Sequence, residues 1–252
     1  MNKYYIAIPS YRRSQLIQQK TLKLLNKYSI DKSIIYIFVA DEEEHEIYKL
    51  ALPDYNIVVG KLGIANQRNF IRNYFKPGDK VLSIDDDVEH ILELNKDKKL
   101  IEIPDLDLFI NYAFEECVDQ SIFLWGIYPV NNPYFMKSRD KFNHKLSFII
   151  GTFFGQIIRH TDDLNLNLSE KEDIENSILH FKKDKQLLRF EHRTIKTKFY
   201  NKIGGLGGPS FQRVLNNKTA TEYLDKHYSN FGKSWQRKDG RYEFRLKRNL
   251  II

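Results

Sequence analysis

Val81-Leu82-Ser83-Ile84-Asp85-Asp86-Asp87-Val88 decides the fold: an apolar run passes directly into three carboxylates. A buried strand cannot hold three unpaired carboxylates, because an ionised group leaving water must find partners inside the protein. Asp85, Asp86 and Asp87 are therefore expected to emerge where the strand ends. In open α/β sheets that end is where ligands bind. Alternate residues of an extended segment point the same way, so Asp85 and Asp87 can grip one divalent cation. A solvated acidic turn would carry the same residues, and the surrounding sequence must separate the two readings.

Upstream, strand and helix patterns alternate. Tyr4 to Ile8 reads as a strand stopped by Pro9-Ser10, and Ser14 to Tyr28 as a helix with Leu16, Leu22, Leu24 and Leu25 on its apolar face. Ile34 to Val39 is a second strand running into Asp41, followed by a helix over Glu42 to Leu50 and a third strand over Asn56 to Val59. Gly60 to Gly63 forms a loop before a helix over Ile64 to Tyr74, and Pro77-Gly78-Asp79 turns the chain into the carboxylate strand. This alternation predicts a parallel, doubly wound sheet. Downstream, residues 105–119 read as a helix and Ile122 to Tyr128 as a strand. Pro129 to Lys141 is loop-like, and Ser147 to Ile158 is strand-rich. Ser169 and Glu172 have capping-box spacing at the start of a helix reaching Lys182. A strand over Leu187 to Phe190, a glycine-rich loop at 204–208, a helix over Phe211 to Asn217 and a strand over Tyr242 to Leu246 complete the chain.

The 252 residues suit one large α/β domain, and 42 % hydrophobic content with 17 Phe and 15 Tyr supplies its core. No 18-residue apolar run, signal peptide or lipidation motif is present, so an intracellular protein with no membrane association is expected, placed in the cytoplasm. Cys117 cannot form an internal disulfide and falls among Phe114, Val118 and Ile122 in a helical pattern, as a core residue would. The net charge of +7 is uneven: residues 181–252 carry 18 Lys or Arg against 6 Asp or Glu, leaving the rest of the chain acidic. A basic C-terminal third on an acidic body suggests a polyanionic partner, nucleic acid first, although scattered solubilising lysines would give the same count.

The order of these pieces resembles the GT-A glycosyltransferases. The likeness rests on Pro9-Ser10-Tyr11-Arg12-Arg13 after the first strand and on Gly63-Ile64-Ala65-Asn66-Gln67-Arg68-Asn69 before the metal strand. It also rests on the Asp-x-Asp of Asp85 to Asp87 and on Lys171-Glu172-Asp173. Trp125-Gly126-Ile127-Tyr128-Pro129, Gly151-Thr152, Gly204-Gly205 and Glu243-Phe244-Arg245-Leu246-Lys247 are similar to the TET-associated glycosyltransferases of phages and other viruses. The resemblance implies a GT-A fold: a Rossmann-like, mostly parallel central sheet flanked by helices, with an elaborated C-terminal portion. It implies a single domain over 1–252, with 1–125 binding a nucleotide sugar and 126–252 an acceptor. It also implies transfer of a sugar from a UDP-sugar, with inversion, onto hydroxymethylpyrimidine bases of DNA.

Within that frame each residue type has a chemical reason. Negative charge grows on the leaving diphosphate, and Mn²⁺ or Mg²⁺ held by Asp85 and Asp87 would stabilise it. Asp86 points the other way and suits ribose or donor-sugar hydroxyls. Pro9, Ser10, Tyr11 and Arg12 follow a strand end: Tyr11 can stack on the nucleobase, and Arg12, preferred over Arg13, or Arg68 can neutralise the diphosphate. Asp41 is placed for the nucleobase or ribose. Asp173 is the candidate general base, kept ionised by a helix N-terminus that lowers its pKa. Glu172 is the capping partner. His192 and His227 could offer a third metal ligand but stay outside the metal set. Trp125 reads as core, whereas Tyr128, Asn131 and Asn132 would line the acceptor side. Lys196, Lys198, Lys202, Arg213, Arg237, Lys238 and Arg241 could track acceptor phosphates. Three other readings stand beside this one: the same donor chemistry on a glycan, protein or small molecule; a two-metal nucleotidyltransferase or nuclease; and an idle nucleic-acid-binding module.

Overall fold

Short apolar runs bounded by turn residues form β1 (Tyr5–Pro9), β2 (Ile35–Val39), β3 (Asn56–Val59) and β4 (Lys80–Ile84). Helices α1 (Ser14–Gln19), α2 (Thr21–Lys27), α3 (Glu42–Ala51) and α4 (Ile64–Tyr74) connect them. The chain continues through β5 (Val88–Leu94), β6 (Leu100–Glu102), α5 (Leu106–Asp119), β7 (Leu124–Ile127), α6 (Pro133–Met136), β8 (Phe142–Asn143) and β9 (Phe153–Ile157). It ends with α7 (Glu172–Asp184), β10 (Leu188–Phe190), β11 (Arg193–Thr197), α8 (Phe211–Tyr228), β12 (Gly232–Gln236) and β13 (Tyr242–Leu246). This computed structural model describes residues 4–197, 211–247 and 250, and the side chains of Phe211 and Arg213 are outside the description.

Eight strands form the central sheet in the order β3-β2-β1-β4-β9-β7-β10-β8. Strands β1 to β4 pair in parallel, β9 runs antiparallel to both neighbours, and β7 pairs in parallel with β10. The carboxyl ends of β1 to β4, β7 and β10 therefore share one edge of the sheet, and the start of β9 meets them there. Strand β1 lies between β2 and β4, so the strand order reverses beside the tip carrying the aspartates. That reversal is where α/β sheets open a ligand crevice.

Side-chain alternation builds the two faces. Ile6, Ile8, Leu82 and Ile84 join Ile110, Phe114, Cys117, Trp125 and Phe153 in one buried cluster, while Ala7, Phe38 and Val81 pack with Ile71 and Phe75 of the α4 segment on the other face. A further cluster packs Ile174 and Ile178 of α7 against Leu224 and Tyr228 of α8 and Phe244 of β13. Among the described residues, no helix is long and apolar enough to cross a membrane.

Four expectations change. The helix expected over 14–28 breaks at Lys20 (φ −117°, ψ −93°). Beyond the break, Thr21 Oγ1 donates to the Asp85 carbonyl at 2.7 Å and accepts from the Val88 N–H at 3.0 Å, stapling the aspartate turn. The Ser169 capping box is absent: Lys171, in the left-handed region at φ 63°, precedes α7 without a side-chain cap. The helix beginning at Phe211 runs on to Tyr228. A three-stranded sheet, β11-β5-β6, and the strand β12 also form where no strand was expected. The glycine-rich run at 204–208, Lys198 and Lys202 lie outside the described residues.

Candidate active site

The three aspartates take two directions. Asp86 has a side chain only 5 % exposed, against 31 % for Asp85 and 18 % for Asp87. Asp86 accepts from Ser10 Oγ at 2.7 Å and from Arg13 Nη1 at 3.0 Å, so it bridges the tips of β4 and β1 across the reversal point. Tyr48 of α3 completes this knot: its hydroxyl lies 2.7 Å from Ser10 Oγ and accepts from the Arg13 N–H at 2.9 Å. Burial pushes the Tyr48 phenol up to about 12, so it keeps the proton it shares with Ser10. Burial also raises the Asp86 carboxyl, opposed by Arg13 and Ser10. Asp86, expected to face donor hydroxyls, is committed to the protein interior.

The nucleotide segment is similarly rearranged. Arg12 sits in the left-handed region at φ 55°, exposed, with its guanidinium 5.0 Å from the centroid of the neighbouring Tyr11 ring. Its N–H donates to buried Glu44 at 2.8 Å, which fixes this turn. It is thus Arg13, ranked below Arg12 in sequence, that reaches the aspartates; its Nη1 is also 3.8 Å from Asp87 Oδ2. Pro9 closes β1 and is buried, Tyr11 is half-buried, and Asp41 is exposed at the end of β2 while capping the Glu44 N–H at 3.0 Å.

Arg68 lies on the opposite flank. Its side chain is 7 % exposed, and Nη2 donates to the Gly151 carbonyl at 3.0 Å. The same guanidinium stands 3.6 Å from Asp85 Oδ1 and 3.4 Å from Glu172 Oε1. Gly151 leaves room for this guanidinium, since a Cβ would lie 2.6 Å from Arg68 Nη2 and displace it. Arg68, expected to neutralise a diphosphate, instead faces protein groups. Glu172, expected to cap α7, faces Arg68 because Lys171 turns the chain left-handed just before it.

Asp173 follows at the first turn of α7. Its Oδ1 accepts from the Ile174 N–H at 2.9 Å and its Oδ2 from the Gly151 N–H at 3.4 Å. The lowered pKa expected from the helix terminus is overturned: burial raises the Asp173 carboxyl, outweighing Arg68 and both backbone donors. Its neighbours share the trend. Burial pushes Asp85 up to about 7, with Arg68 opposing and Asp87 and Asp86 adding to the rise. Burial and the Asp173 charge push Glu172 up to about 8. One guanidinium serves three carboxylates, so this flank is short of positive charge.

That shortage fits a cation. Asp85 and Asp87 are the open carboxylates, and Asp87 is oriented by Thr197 Oγ1, which donates to its Oδ1 at 3.1 Å. Among the described residues, no group of three or more His, Cys, Asp or Glu is arranged to hold a metal. A cation held by these two carboxylates would leave coordination positions that hard oxygens such as those of a phosphate can fill. His192 Nε2 instead contacts the Arg139 carbonyl at 2.9 Å, and His227 stacks on Tyr223 at 4.2 Å between ring centroids. Trp125 is fully buried, and Tyr128 is held between the guanidinium groups of Arg139 and Arg189. Sequence reasoning missed Thr21, Glu44, Tyr48 and Thr197; none carries a local signal, because each acts on a segment far away in the chain.

Comparison with solved structures matches the fold. The chain has a GT-A fold. It superposes on glucosyl-3-phosphoglycerate synthase from Mycobacterium tuberculosis in complex with UDP at TM-score 0.52 and 11 % identity, covering 99 % of this chain and 89 % of that one. The same enzyme with Mn²⁺ and UDP-glucose gives 0.51 at 11 % identity, covering 97 % and 87 %. A mycobacterial protein gives 0.52 at 9 % identity, covering 97 % and 83 %. At such identities the likeness is one of GT-A fold. No family model and no curated protein sequence matches the chain.

Proposed function

We propose that this protein is a metal-dependent glycosyltransferase that uses a UDP-sugar, inverts the anomeric centre, and has hydroxymethylpyrimidine in DNA as its acceptor. One observation carries the reading: Asp85 and Asp87 stand open at the strand-order reversal, with Asp173 held on the far side of Arg68. Asp85 and Asp87 would hold Mn²⁺ or Mg²⁺, whose chemistry is to stabilise the negative charge of the departing diphosphate. Tyr11 and Asp41 lie where a uridine would reach the ends of β1 and β2. Ser10, Asp86, Arg13 and Tyr48 tie the tips of β1 and β4 to each other and to α3. Asp173 accepts the proton of the attacking hydroxyl as that oxygen bonds to the anomeric carbon and the bond to phosphate breaks. Its raised pKa makes it a stronger base than an exposed aspartate.

The DNA acceptor is supported by the basic C-terminal third and by the resemblance to the TET-associated enzymes. A phosphorylated small acceptor is the second reading. It is favoured by the phosphoglyceric acid complex of the M. tuberculosis enzyme, which this chain matches at TM-score 0.50 and 11 % identity over 97 % of its length and 87 % of that chain. Calorimetry with UDP and Mn²⁺ tests the donor site: the wild type binds, and Asp87→Ala loses Mn²⁺-dependent binding. UDP binding that ignores Mn²⁺ would remove the metal from the proposal. Mass analysis after incubating UDP-sugars with hydroxymethylcytosine DNA, hydroxymethyluracil DNA or phosphoglyceric acid separates the acceptors.

A further inference from the structure

The β12–β13 hairpin packs one face on α8 through Phe244 and Leu246; on the other, among the described residues, Glu243 meets Lys171 while Trp235 stays partly exposed. Register places Lys233 opposite Arg245 and Trp235 opposite Glu243 on that outer face. Trp235 is 39 % exposed, with the Arg245 guanidinium 5.1 Å from its ring centroid. A partly open indole flanked by cations offers a stacking surface beside positive charge. From 232 to 247 the chain carries six Lys or Arg against two Asp or Glu.

This face also touches the segment that leads into α7. Glu243, the cross-strand neighbour of Trp235, lies 3.4 Å from Lys171 Nζ, and Lys171 precedes Asp173 by two residues. Arg237 Nη1 meets the other Glu243 oxygen at 3.4 Å. The exposed tryptophan and its cations are thus tied, through Glu243 and Lys171, to the start of α7.

We propose that the outer face of this hairpin docks a single-stranded nucleic acid, with Trp235 stacking one base and Lys233, Arg237 and Arg245 following the phosphates. Charge complementarity selects a polyanion over a neutral glycan, and a free aromatic face selects unpaired bases over a duplex, whose bases are already stacked. Naming the bound strand as the acceptor rests on the transferase reading; the docking itself does not.

The chain has two tryptophans, and Trp125 is fully buried, so a fluorescence change on binding reports Trp235. The test titrates the full chain with a 12-nucleotide oligothymidylate, a duplex of equal length, polyphosphate and maltohexaose at several salt concentrations. Oligothymidylate is expected to quench the signal and to bind more weakly as salt rises. Trp235→Ala should weaken binding at least fivefold, at the low end of base–aromatic stacking effects, while Trp235→Phe keeps most of it. Lys233→Ala should lower the salt slope by about 0.7, the value for one phosphate contact on a single strand. Binding to the Trp235 variants is read from the anisotropy of labelled oligothymidylate, circular dichroism checks each fold, and Trp235→Leu, expected to weaken binding as Trp235→Ala does, carries the test if Trp235→Ala fails to fold. Equal binding of polyphosphate, tighter binding of the duplex, quenching by maltohexaose or unchanged affinity in Trp235→Ala would each overturn the proposal. Loss of UDP binding with oligothymidylate binding intact would remove the transferase reading alone, and the converse would remove the hairpin alone.

Discussion

The two flanks of the candidate site solve the same problem differently. On the Arg13 flank, Asp86 is buried between Ser10 and Arg13 at 2.7 and 3.0 Å, with Tyr48 tying both to α3. On the Arg68 flank, one guanidinium faces Asp85 and Glu172 at 3.6 and 3.4 Å and spends its hydrogen bond on the Gly151 carbonyl. Short, mutually satisfying bonds make a rigid anchor. Excess carboxylate around a single cation leaves groups that gain from an added metal ion or an incoming proton. Rigidity and reactivity are thus placed on opposite sides of one strand tip.

Substitutions on each flank can break this contrast. Asp173→Asn should leave UDP affinity nearly unchanged while cutting turnover a hundredfold or more, the lower edge of general-base effects; unchanged single-turnover rates would leave the Arg68 flank without its base. Asp86→Ala should destabilise the fold by roughly 2–4 kcal/mol in urea unfolding, because Ser10 and Arg13 lose a buried partner. A loss under half a kcal/mol would show that the Arg13 flank is not the anchor. Gly151→Ala, which forces Arg68 away from the carbonyl it holds, should cost about 1–3 kcal/mol by overpacking.

A pH slope offers the last way to break the contrast. The folded protein keeps a proton on Glu172 from its ordinary 4.5 up to about 8, a range where the unfolded chain has lost it. That contribution is fully present below 4.5 and disappears as pH rises through about 8, with a slope of at most about 1.4 kcal/mol per pH unit for one proton. Thermal unfolding of metal-free protein should therefore show Glu172→Gln losing less stability than wild type between pH 5 and pH 8. A parallel pair of curves would mean that Arg68 neutralises this flank after all.

Several elements were legible because the period of their apolar residues and the turn residues around them leave a local signature. Asn56–Val59, Ile64–Tyr74 and Tyr242–Leu246 begin and end where the residue pattern places them. The α1–α2 break was not legible, since Leu16 to Leu25 satisfy a helical face continuously and the interruption serves a carbonyl more than sixty residues away. Arg12 and Arg13 are equivalent in composition, and only the left-handed turn at Arg12 sends one outward and the other onto Asp86.

From residue order alone follow the strand that must stop at Ile84, the alternation that makes the first four strands parallel, and the uneven charge of the C-terminal third; these are local properties of the sequence. Which carboxylates stay open, which arginine meets them, and the rise of the Asp173 pKa were decided by packing. Desolvation and pairing depend on what surrounds a group in space, and here those surroundings come from strands, turns and helix ends scattered between Ser10 and Thr197.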